Sequence, residues 1–320
     1  MGIFHTISLP ELPLLIMDEY HFYTSLYSSL LEKPWMPPNT NTLFRRIVRK
    51  LASNRLPAYF ESHPLENSNN RTKEGVIASF TSFPARIEYA YLVVQCMLHQ
   101  TIIPEKIILW LSREQFNDKS ELPPKLVALE NGVFEIRLVI GDIRSHKKYY
   151  YVCKEYPSSL VVLLDDDIFY HPQLVERLLS EYTKGEKELI CNYGYRIIRD
   201  SKGHLLPYNQ WKALYTEAEG EDVFFGSGGG TLFKPSDFDP ILTNIELARL
   251  LTPIADDIWL NTIARLSNVK IKMMSHGSFL PIMINNNKCL YSSNMTEGQN
   301  DSQLEAVCSY FKIKDYRFVK

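Results

Sequence analysis

The chain has 320 residues, 45% hydrophobic and 22% charged, a composition typical of a globular protein with a sizeable core. Its 35 basic and 37 acidic residues leave a formal net charge of −2, so no overall field favours nucleic acid as a partner. The five cysteines form no CxxC pair, and the sequence has neither a signal peptide nor a run of about 18 apolar residues, so we expect a cytoplasmic protein.

Residues 1–74 differ from the rest of the chain and predict an N-terminal appendage and linker, followed by one domain over 75–320. Within the appendage, TNTLFRRIVRKLASNR has helical spacing. One face would carry Leu43, Phe44, Ile47, Val48 and Leu51, and the remainder would carry Arg45, Arg46, Arg49, Lys50 and Arg55. We favour a helix that packs on the main domain with a solvated basic face, because the apolar face is only about three turns long. The alternative is peripheral contact with the inner face of a membrane through residues 43–55.

From Gly75 onwards, strand patterns alternate with helical patterns. GVIASFTS, KIILWLS, VFEIRLVI and SLVVLLDDD are typical of buried strands, whereas PARIEYAYLVVQCMLHQ and SHKKYYYVCKEYPS predict helices between them. This alternation predicts a largely parallel α/β sheet with right-handed crossovers. The C-terminal half is more mixed, with the glycine-rich DVFFGSGGGTLF, a helix near ADDIWLNTIARL and the alternating strand VKIKMMS.

Three consecutive aspartates follow the fourth predicted strand, where ligands of parallel sheets bind. Side chains alternate along an extended segment, so Asp165 and Asp167 would project to one side and Asp166 to the other. Two carboxylates on one side can bind a hard divalent cation, Mg²⁺ or Mn²⁺, which would also bind phosphate oxygens. The alternative is a solvated strand end or a set of caps for the next helix.

The ordered segments VIASFTSFPARI, SHKK, VVLLDDD, GSGGGTLF and ADDIWL resemble the GT-A class of nucleotide-sugar glycosyltransferases over residues 75 to 310, particularly the cytoplasmic bacterial enzymes that build surface polysaccharide. The resemblance implies a GT-A-like, Rossmann-type mixed sheet flanked by helices, with the N-terminal helical appendage outside it. It also implies a Mn²⁺- or Mg²⁺-dependent hexosyltransferase-like enzyme that moves a sugar from a nucleotide-diphosphate sugar to a glycan or lipid-linked acceptor.

In that class the outer aspartate of a DxD motif binds the metal, and the other contacts the ribose or the sugar. The resemblance therefore implies metal ligation by Asp165 and Asp167, with His276 as a further ligand or, alternatively, a structural histidine. The other residues that it implies for donor binding lie in the turn after the first strand, beyond the third strand, at the helix before the aspartates and in the glycine-rich segment: Thr81, Ser82, Arg86, Asp142, Lys147, Asp165, Asp166, Gly228 and Gly229.

Most of these residues also have a structural alternative. The TSFP turn could cap a helix, SHKK could be an exposed basic helix start, and GSGGG could be a tightly packed bulged strand. If SHKK does contribute to the site, Lys148 could take the place of Lys147. Tyr208 and Trp211 could stack on a sugar ring or belong to the core.

An inverting transferase needs a carboxylate that removes the proton from the acceptor hydroxyl. Asp257 matches the final acidic residue of the resembled motif, and Asp256 is the second candidate; the alternative is an N-cap pair. Placement at a helix end predicts a lowered pKa for Asp257.

Two other functions compete with the transferase. A sugar nucleotidyltransferase usually opens with a Gly-rich loop after strand one, and FTSFPARI has no glycine. A non-catalytic nucleotide-sugar binding protein would tolerate replacement of Asp257, whereas the transferase would not.

Overall fold

A seven-stranded mixed sheet forms the centre of the protein. The computed structural model describes residues 18–30, 40–64, 72–274, 279–284 and 298–317. The described strands are β1 Thr72–Thr81, β2 Ile103–Ser112, β3 Phe134–Val139, β4 Leu160–Leu164, β5 Ile168–Phe169, β6 Glu188–Cys191, β7 Gly194–Arg196, β8 Lys212–Leu214, β9 Val223–Phe225, β10 Gly229–Phe233, β11 Lys270–Met273 and β12 Ile282–Met283. The described helices are α1 Glu19–Ser29, α2 Thr40–Ser62, α3 Ile87–Leu98, α4 Pro124–Val127, α5 Lys147–Glu155, α6 Leu174–Glu181, α7 Ile245–Leu251, α8 Asp256–Leu266 and α9 Gln299–Phe311.

The strand order of the central sheet is β11-β6-β10-β4-β1-β2-β3. β3, β2, β1 and β4 pair in parallel, as do β6 and β11, whereas β10 runs antiparallel to both of its neighbours. Two smaller sheets, β12-β5 and β8-β7-β9, lie outside it. The predicted Rossmann-type mixed sheet flanked by helices is therefore confirmed.

Helices cover both faces of the sheet, and β1 is buried on both of its faces. Val76, Ala78 and Phe80 contribute to one buried cluster, which also contains side chains of α3 and α6. Ile77 contributes to the other cluster, with side chains of α5, α8 and α9. Because neighbouring residues of a strand point to opposite faces, a strand that is buried on both faces is apolar at nearly every position. The exception among the buried residues of β1 is Ser79, whose hydroxyl donates to the Lys148 carbonyl.

Helices α1 and α2 pack against the first of these clusters, but α2 buries a different face from the predicted one. The buried stripe is Val48, Ala52, Leu56 and Phe60, at a spacing of four residues. Of the five residues assigned to the apolar face, only Val48 is buried; the other four are exposed. The predicted apolar face was wrong because the helix continues to Ser62, and the longer stripe at four-residue spacing packs on the core. The division at residue 74 stays a prediction.

Candidate functional site

Several segment ends meet at one edge of the sheet. β4 stops at Leu164, and residues 165–167 form a turn instead of extending the strand. β4 lies between β1, which leads into Ser82 and Arg86, and β10, which follows Gly228. The three aspartates therefore lie beyond the carboxyl end of a parallel strand, with polar segments on both sides.

Lys148 on α5 joins the aspartate turn to α8. Its Nζ lies 2.8 Å from Asp165 Oδ1 and 3.0 Å from Asp256 Oδ2, and its side chain is only 5% exposed. Burial alone would lower the pKa of Lys148, but the carboxylates of Asp165, Asp256 and Asp257 raise it well above its ordinary value. The buried ammonium thus stays charged and connects two carboxylates that are far apart in sequence.

Arg86 and Ser82 bind the other two aspartates of the turn. Arg86 Nη1 lies 2.8 Å from Asp166 Oδ1 and 2.9 Å from Asp167 Oδ2, and Ser82 Oγ donates to Asp166 Oδ2 at 2.5 Å. Burial raises the pKa of Asp166 in spite of the arginine. Burial and the neighbouring Asp165 raise the pKa of Asp167 to about 7. Arg86 therefore does not fully compensate the negative charge of the turn.

Ser227 positions Asp256 and Asp257. Its backbone N–H donates to Asp257 Oδ1 at 2.9 Å, and its hydroxyl lies 2.5 Å from the same oxygen and 3.1 Å from Asp256 Oδ2. The N-cap of α8 is Ala255, so the two aspartates occupy the first turn and are not the cap pair that the alternative interpretation required.

The two carboxyl groups of α8 differ in their pKa values. Burial would raise the pKa of Asp256, but Lys148 lowers it below its ordinary value. Burial and the charge of Asp256 raise the pKa of Asp257 to about 6. The lowered pKa expected for Asp257 is therefore wrong, because these two effects outweigh its position at the helix N-terminus.

Asp142, beyond β3, forms a second polar group with Lys147 and Gln115. Lys147 Nζ lies 2.5 Å from Asp142 Oδ1, and Gln115 Nε2 donates to Asp142 Oδ2 at 2.8 Å. Burial would raise the pKa of Asp142, but Lys147 and the backbone N–H of Arg144 lower it. Of the two adjacent lysines, Lys147 thus pairs with Asp142, and Lys148 contacts the aspartate turn.

The glycine segment lies against the aspartate turn. A Cβ atom at Gly228 would be 1.8 Å from Asp165 Cγ, and one at Gly229 would be 2.6 Å from Tyr193 Cβ. The Gly228 carbonyl accepts hydrogen bonds from Asp165 N at 3.1 Å and from the Tyr170 hydroxyl at 2.5 Å. Only glycine at position 228 allows Asp165 to keep this position beside Lys148.

Gly228→Ala is expected to lower the free energy of unfolding by about 1–3 kcal/mol, because the new methyl group displaces Asp165 or shifts β10. Chemical denaturation would measure the loss. The matched control is Gly132→Ala, whose added Cβ would meet nothing within 4 Å. Equal stabilities of the two variants would show that the contact between Gly228 and Asp165 is not tight.

Two cavities adjoin at these residues. One of about 470 Å³ is lined by Asp165, Asp167, Asp256 and Asp257, and one of about 380 Å³ is lined by Ser82, Asp142, Lys147 and Asp166. Both are lined by the same four residues at the point where they meet: Arg86, Ser145, Lys148 and Asp165. The aspartate turn thus lies between two spaces, each large enough for part of a ligand, and α8 borders the larger one.

The structure also distinguishes between the remaining candidate residues. Thr81 lines the smaller cavity, although its hydroxyl donates to the Trp110 carbonyl at 2.7 Å. Gly228, Gly229 and Tyr208 line the larger cavity. Trp211 is buried in the core, and its Nε1 donates to the Leu206 carbonyl, so its interpretation as a sugar contact is wrong.

The donor set suits a hard divalent cation. Asp165 and Asp167 both line the larger cavity, and the mutual repulsion that raises the pKa of Asp167 is the kind of charge that a bound cation relieves. Within the described ranges, no group of three or more His, Cys, Asp or Glu side chains is arranged as a metal shell. Two carboxylates fit Mg²⁺ or Mn²⁺, whose other ligands are water and phosphate oxygens. His276 lies outside the described residues.

Sequence reasoning missed two contributors to the site. Ser227 contacts both Asp256 and Asp257, and Tyr170 donates to the Gly228 carbonyl and accepts from the Asp165 backbone N–H. Tyr170 was visible as a polar aromatic three residues after the last aspartate, and Ser227 as the polar residue within GSGGG.

Comparisons with known proteins give distant structural matches only. No family model matches the sequence, and no curated protein matches it at a significant level. Glucosyl-3-phosphoglycerate synthase from Mycobacterium tuberculosis, solved with Mn²⁺, UDP and phosphoglyceric acid, is 14% identical over 75% of this chain and 79% of that chain, with a TM-score of 0.40.

Two further structures match at a similar level. 4-Diphosphocytidyl-2C-methyl-D-erythritol synthase from Anaerococcus prevotii is 13% identical over 74% of this chain and 96% of that chain, with a TM-score of 0.39. Apo UDP-glucose pyrophosphorylase is 11% identical over 76% of this chain and 98% of that chain, with a TM-score of 0.40. Similarity at this level assigns no activity, so a functional proposal has to rest on the geometry of the site.

Proposed function

We propose that the protein is a metal-dependent glycosyltransferase of the GT-A type that uses a nucleotide-diphosphate sugar as donor. The observation that carries this proposal is the pair of adjoining cavities with the aspartate turn between them and the first turn of α8 on the wall of the larger one. A nucleoside fits the smaller cavity, and the transferred sugar and its acceptor fit the larger one.

The charge at the junction supports a cation between protein and donor. Five carboxylates gather there around the two cations Lys148 and Arg86: Asp165, Asp166, Asp167, Asp256 and Asp257. A diphosphate would be repelled by this surface unless a divalent ion neutralised it. Asp165 and Asp167 would hold that ion, which when bound stabilises the charge on the departing diphosphate.

Asp257 is the better of the two candidate bases. A general base works best when its pKa lies near the working pH, and the pKa of Asp257 is raised to about 6. Asp256 has a lowered pKa and contacts Lys148. Asp257 would take the proton of the acceptor hydroxyl as that oxygen bonds to the anomeric carbon and the bond from this carbon to the diphosphate breaks. Direct attack of this kind inverts the anomeric configuration.

The remaining donor contacts belong to the same proposal. Asp142, Lys147, Thr81 and Ser82 surround the smaller cavity, where a base and ribose would lie. Arg86 and Lys148, at the junction, could approach the diphosphate. The acceptor would be a glycan or a lipid-linked glycan of surface polysaccharide synthesis, and the tyrosines of the larger cavity could pack against its sugar rings: Tyr27, Tyr193, Tyr195, Tyr208 and Tyr215.

The released product separates this activity from its alternatives. With Mn²⁺, a panel of nucleotide-diphosphate sugars and a glycan acceptor, the transferase releases the nucleoside diphosphate. A sugar nucleotidyltransferase instead releases pyrophosphate from a nucleoside triphosphate and a sugar phosphate, and a non-catalytic binding protein releases neither. Pyrophosphate release alone would contradict the proposal.

The protein would act in the cytoplasm. Among the described helices, none is long and apolar enough to cross a membrane. Peripheral membrane contact through residues 43–55 is a separate proposal, because it depends on α2 and not on the carboxylates.

A further inference from the structure

The outward face of α2 exposes a row of large apolar side chains. Leu43, Phe44, Ile47 and Leu51 are 59%, 47%, 46% and 45% exposed. At 3.6 residues per turn they occupy an arc of about 100°, and they extend along the helix for about 12 Å. We call these four residues the outer face. An apolar patch of this kind usually marks an interaction site.

The outer face has a fixed orientation. On the opposite side of α2, Ala52, Leu56 and Phe60 are buried in the core, so the helix cannot rotate to bury the outer face without removing them. On α1, Glu19 binds Arg55 at 2.6 Å, and the exposed Phe22 lies three residues further along the same side of α1. Phe22 therefore extends the outer face towards α1.

The charged residues of α2 around the outer face are all positive. Arg46 and Lys50 are exposed beside it, and Arg55 follows on its other side, where it pairs with Glu19 of α1. Residues 40–60 contain no Asp or Glu. A helix with exposed leucine and phenylalanine bordered by cations matches an anionic lipid surface, where the apolar tips enter the acyl region and the cations contact phosphate groups.

The larger cavity reaches the same two helices. Arg45 of α2 and Tyr27 of α1 both line it, two residues before Ile47 and five after Phe22. At 100° per residue, Arg45 lies about 150° from the centre of the outer face, so the larger cavity and a surface bound to the outer face lie on opposite sides of α2.

We propose that the outer face of α2, with Phe22, binds an anionic lipid bilayer, with the larger cavity on the opposite side of α2. A lipid bilayer is favoured over a protein partner because the charged residues of α2 beside the apolar side chains are cations, and Glu19, the acidic residue beside Phe22, is already paired with Arg55. The proposal does not depend on the transferase activity.

The test is co-sedimentation of the full chain with phosphatidylglycerol–phosphatidylcholine vesicles and with pure phosphatidylcholine vesicles. The parent should bind the anionic vesicles more strongly, and added salt should weaken the binding. Phe44→Ser/Ile47→Ser should lower the partition into anionic vesicles roughly tenfold or more. The matched control is Leu250→Ser on α7, which removes a side chain that is 74% exposed outside the outer face.

Two further pairs of variants test the contributions of charge and of insertion separately. Arg46→Glu/Lys50→Glu should weaken binding to anionic vesicles, whereas Lys184→Glu/Lys202→Glu, which reverses two exposed lysines elsewhere, should not. A tryptophan at Phe44→Trp should be quenched by brominated lipid, and one at Leu250→Trp should not.

Absence of binding to anionic vesicles by the parent would overturn the proposal. So would parental self-association that Phe44→Ser/Ile47→Ser abolishes without any vesicle binding, because the outer face would then join two copies of the chain. Equal losses in Phe44→Ser/Ile47→Ser and in Leu250→Ser would also overturn it, since the effect would not be specific to α2.

Discussion

Lys148→Met is expected to lower the free energy of unfolding by about 3–5 kcal/mol, the usual cost of removing one partner of a buried ion pair. Lys148 is only 5% exposed and contacts both Asp165 and Asp256. Methionine is close to lysine in length, so the main loss is the charge that compensates the two carboxylates. Chemical denaturation at neutral pH would measure the difference.

The pH dependence of that difference identifies its cause. Lys148 holds the pKa of Asp256 below the ordinary value of 3.8, so its stabilising effect is complete above that pH and is lost as the pH falls further. The difference in the free energy of unfolding between Lys148→Met and the parent should therefore become smaller below pH 3.8. Lys154→Met on the exposed side of α5 is the control and should change stability by less than about 0.5 kcal/mol. A gap that is constant across this range would indicate lost packing instead of lost charge.

Asp257→Asn is expected to reduce kcat about 10²–10⁴-fold, the usual contribution of a general base. Asparagine keeps the shape of the side chain and can accept the hydrogen bonds from Ser227, but it cannot take a proton. In the parent, the rate should rise with pH through about 6 as Asp257 ionises. Initial rates against pH for the parent and for Asp257→Asn would test this.

The same substitution should not destabilise the protein. The pKa of Asp257 is raised from 3.8 to about 6, so the folded state binds this proton more tightly than the unfolded chain. As the pH rises from 3.8 to about 6, Asp257 therefore lowers the free energy of unfolding by a growing amount. Above pH 6 the full reduction, up to about 3 kcal/mol, is present. At pH 7.5, Asp257→Asn should leave the free energy of unfolding unchanged or increase it.

Asp256→Asn is the matched comparison, because this carboxylate is bound by Lys148 and has a lowered pKa. It should destabilise the protein, whereas Asp257→Asn should not. If Asp257→Asn kept its activity, or lost stability as Asp256→Asn does, Asp257 would have a structural role and the proposed base would be wrong.

The sheet could be predicted from the sequence because its strands are long apolar runs between helical patterns. β1 to β4 and α5 lie where the periodicity indicated them. The short strands β5, β8 and β12 could not be predicted, since two or three residues show no period. The outward face of α2 was assigned wrongly, because spacing alone does not show which of two apolar stripes packs on the core.

The position of the site could be predicted, but the ion pairs between its side chains could not. A cluster of aspartates at the end of a buried strand indicates a ligand site at that edge of the sheet, whichever side chains the aspartates contact. Whether Lys147 or Lys148 faces it depends on about 100° of rotation about the helix, which the sequence does not specify. The pKa of Asp257 depends on burial and on Asp256, and burial follows only from the packing of α8 against β9 and against the segment with Ser227 that follows β9.

The proposed metal-bridged donor site can be tested directly by isothermal titration of UDP, GDP, CDP and dTDP, each with and without Mn²⁺. We expect that at least one of them binds only with Mn²⁺, and that Asp165→Asn/Asp167→Asn weakens this binding by at least about a hundredfold, or about 2.7 kcal/mol. Glu246→Gln/Glu305→Gln, which alters two exposed carboxylates elsewhere, should bind as the parent does. Binding that needs no metal and survives Asp165→Asn/Asp167→Asn, or no binding of any nucleoside diphosphate by the folded parent, would contradict the claim that these aspartates hold a cation for a diphosphate.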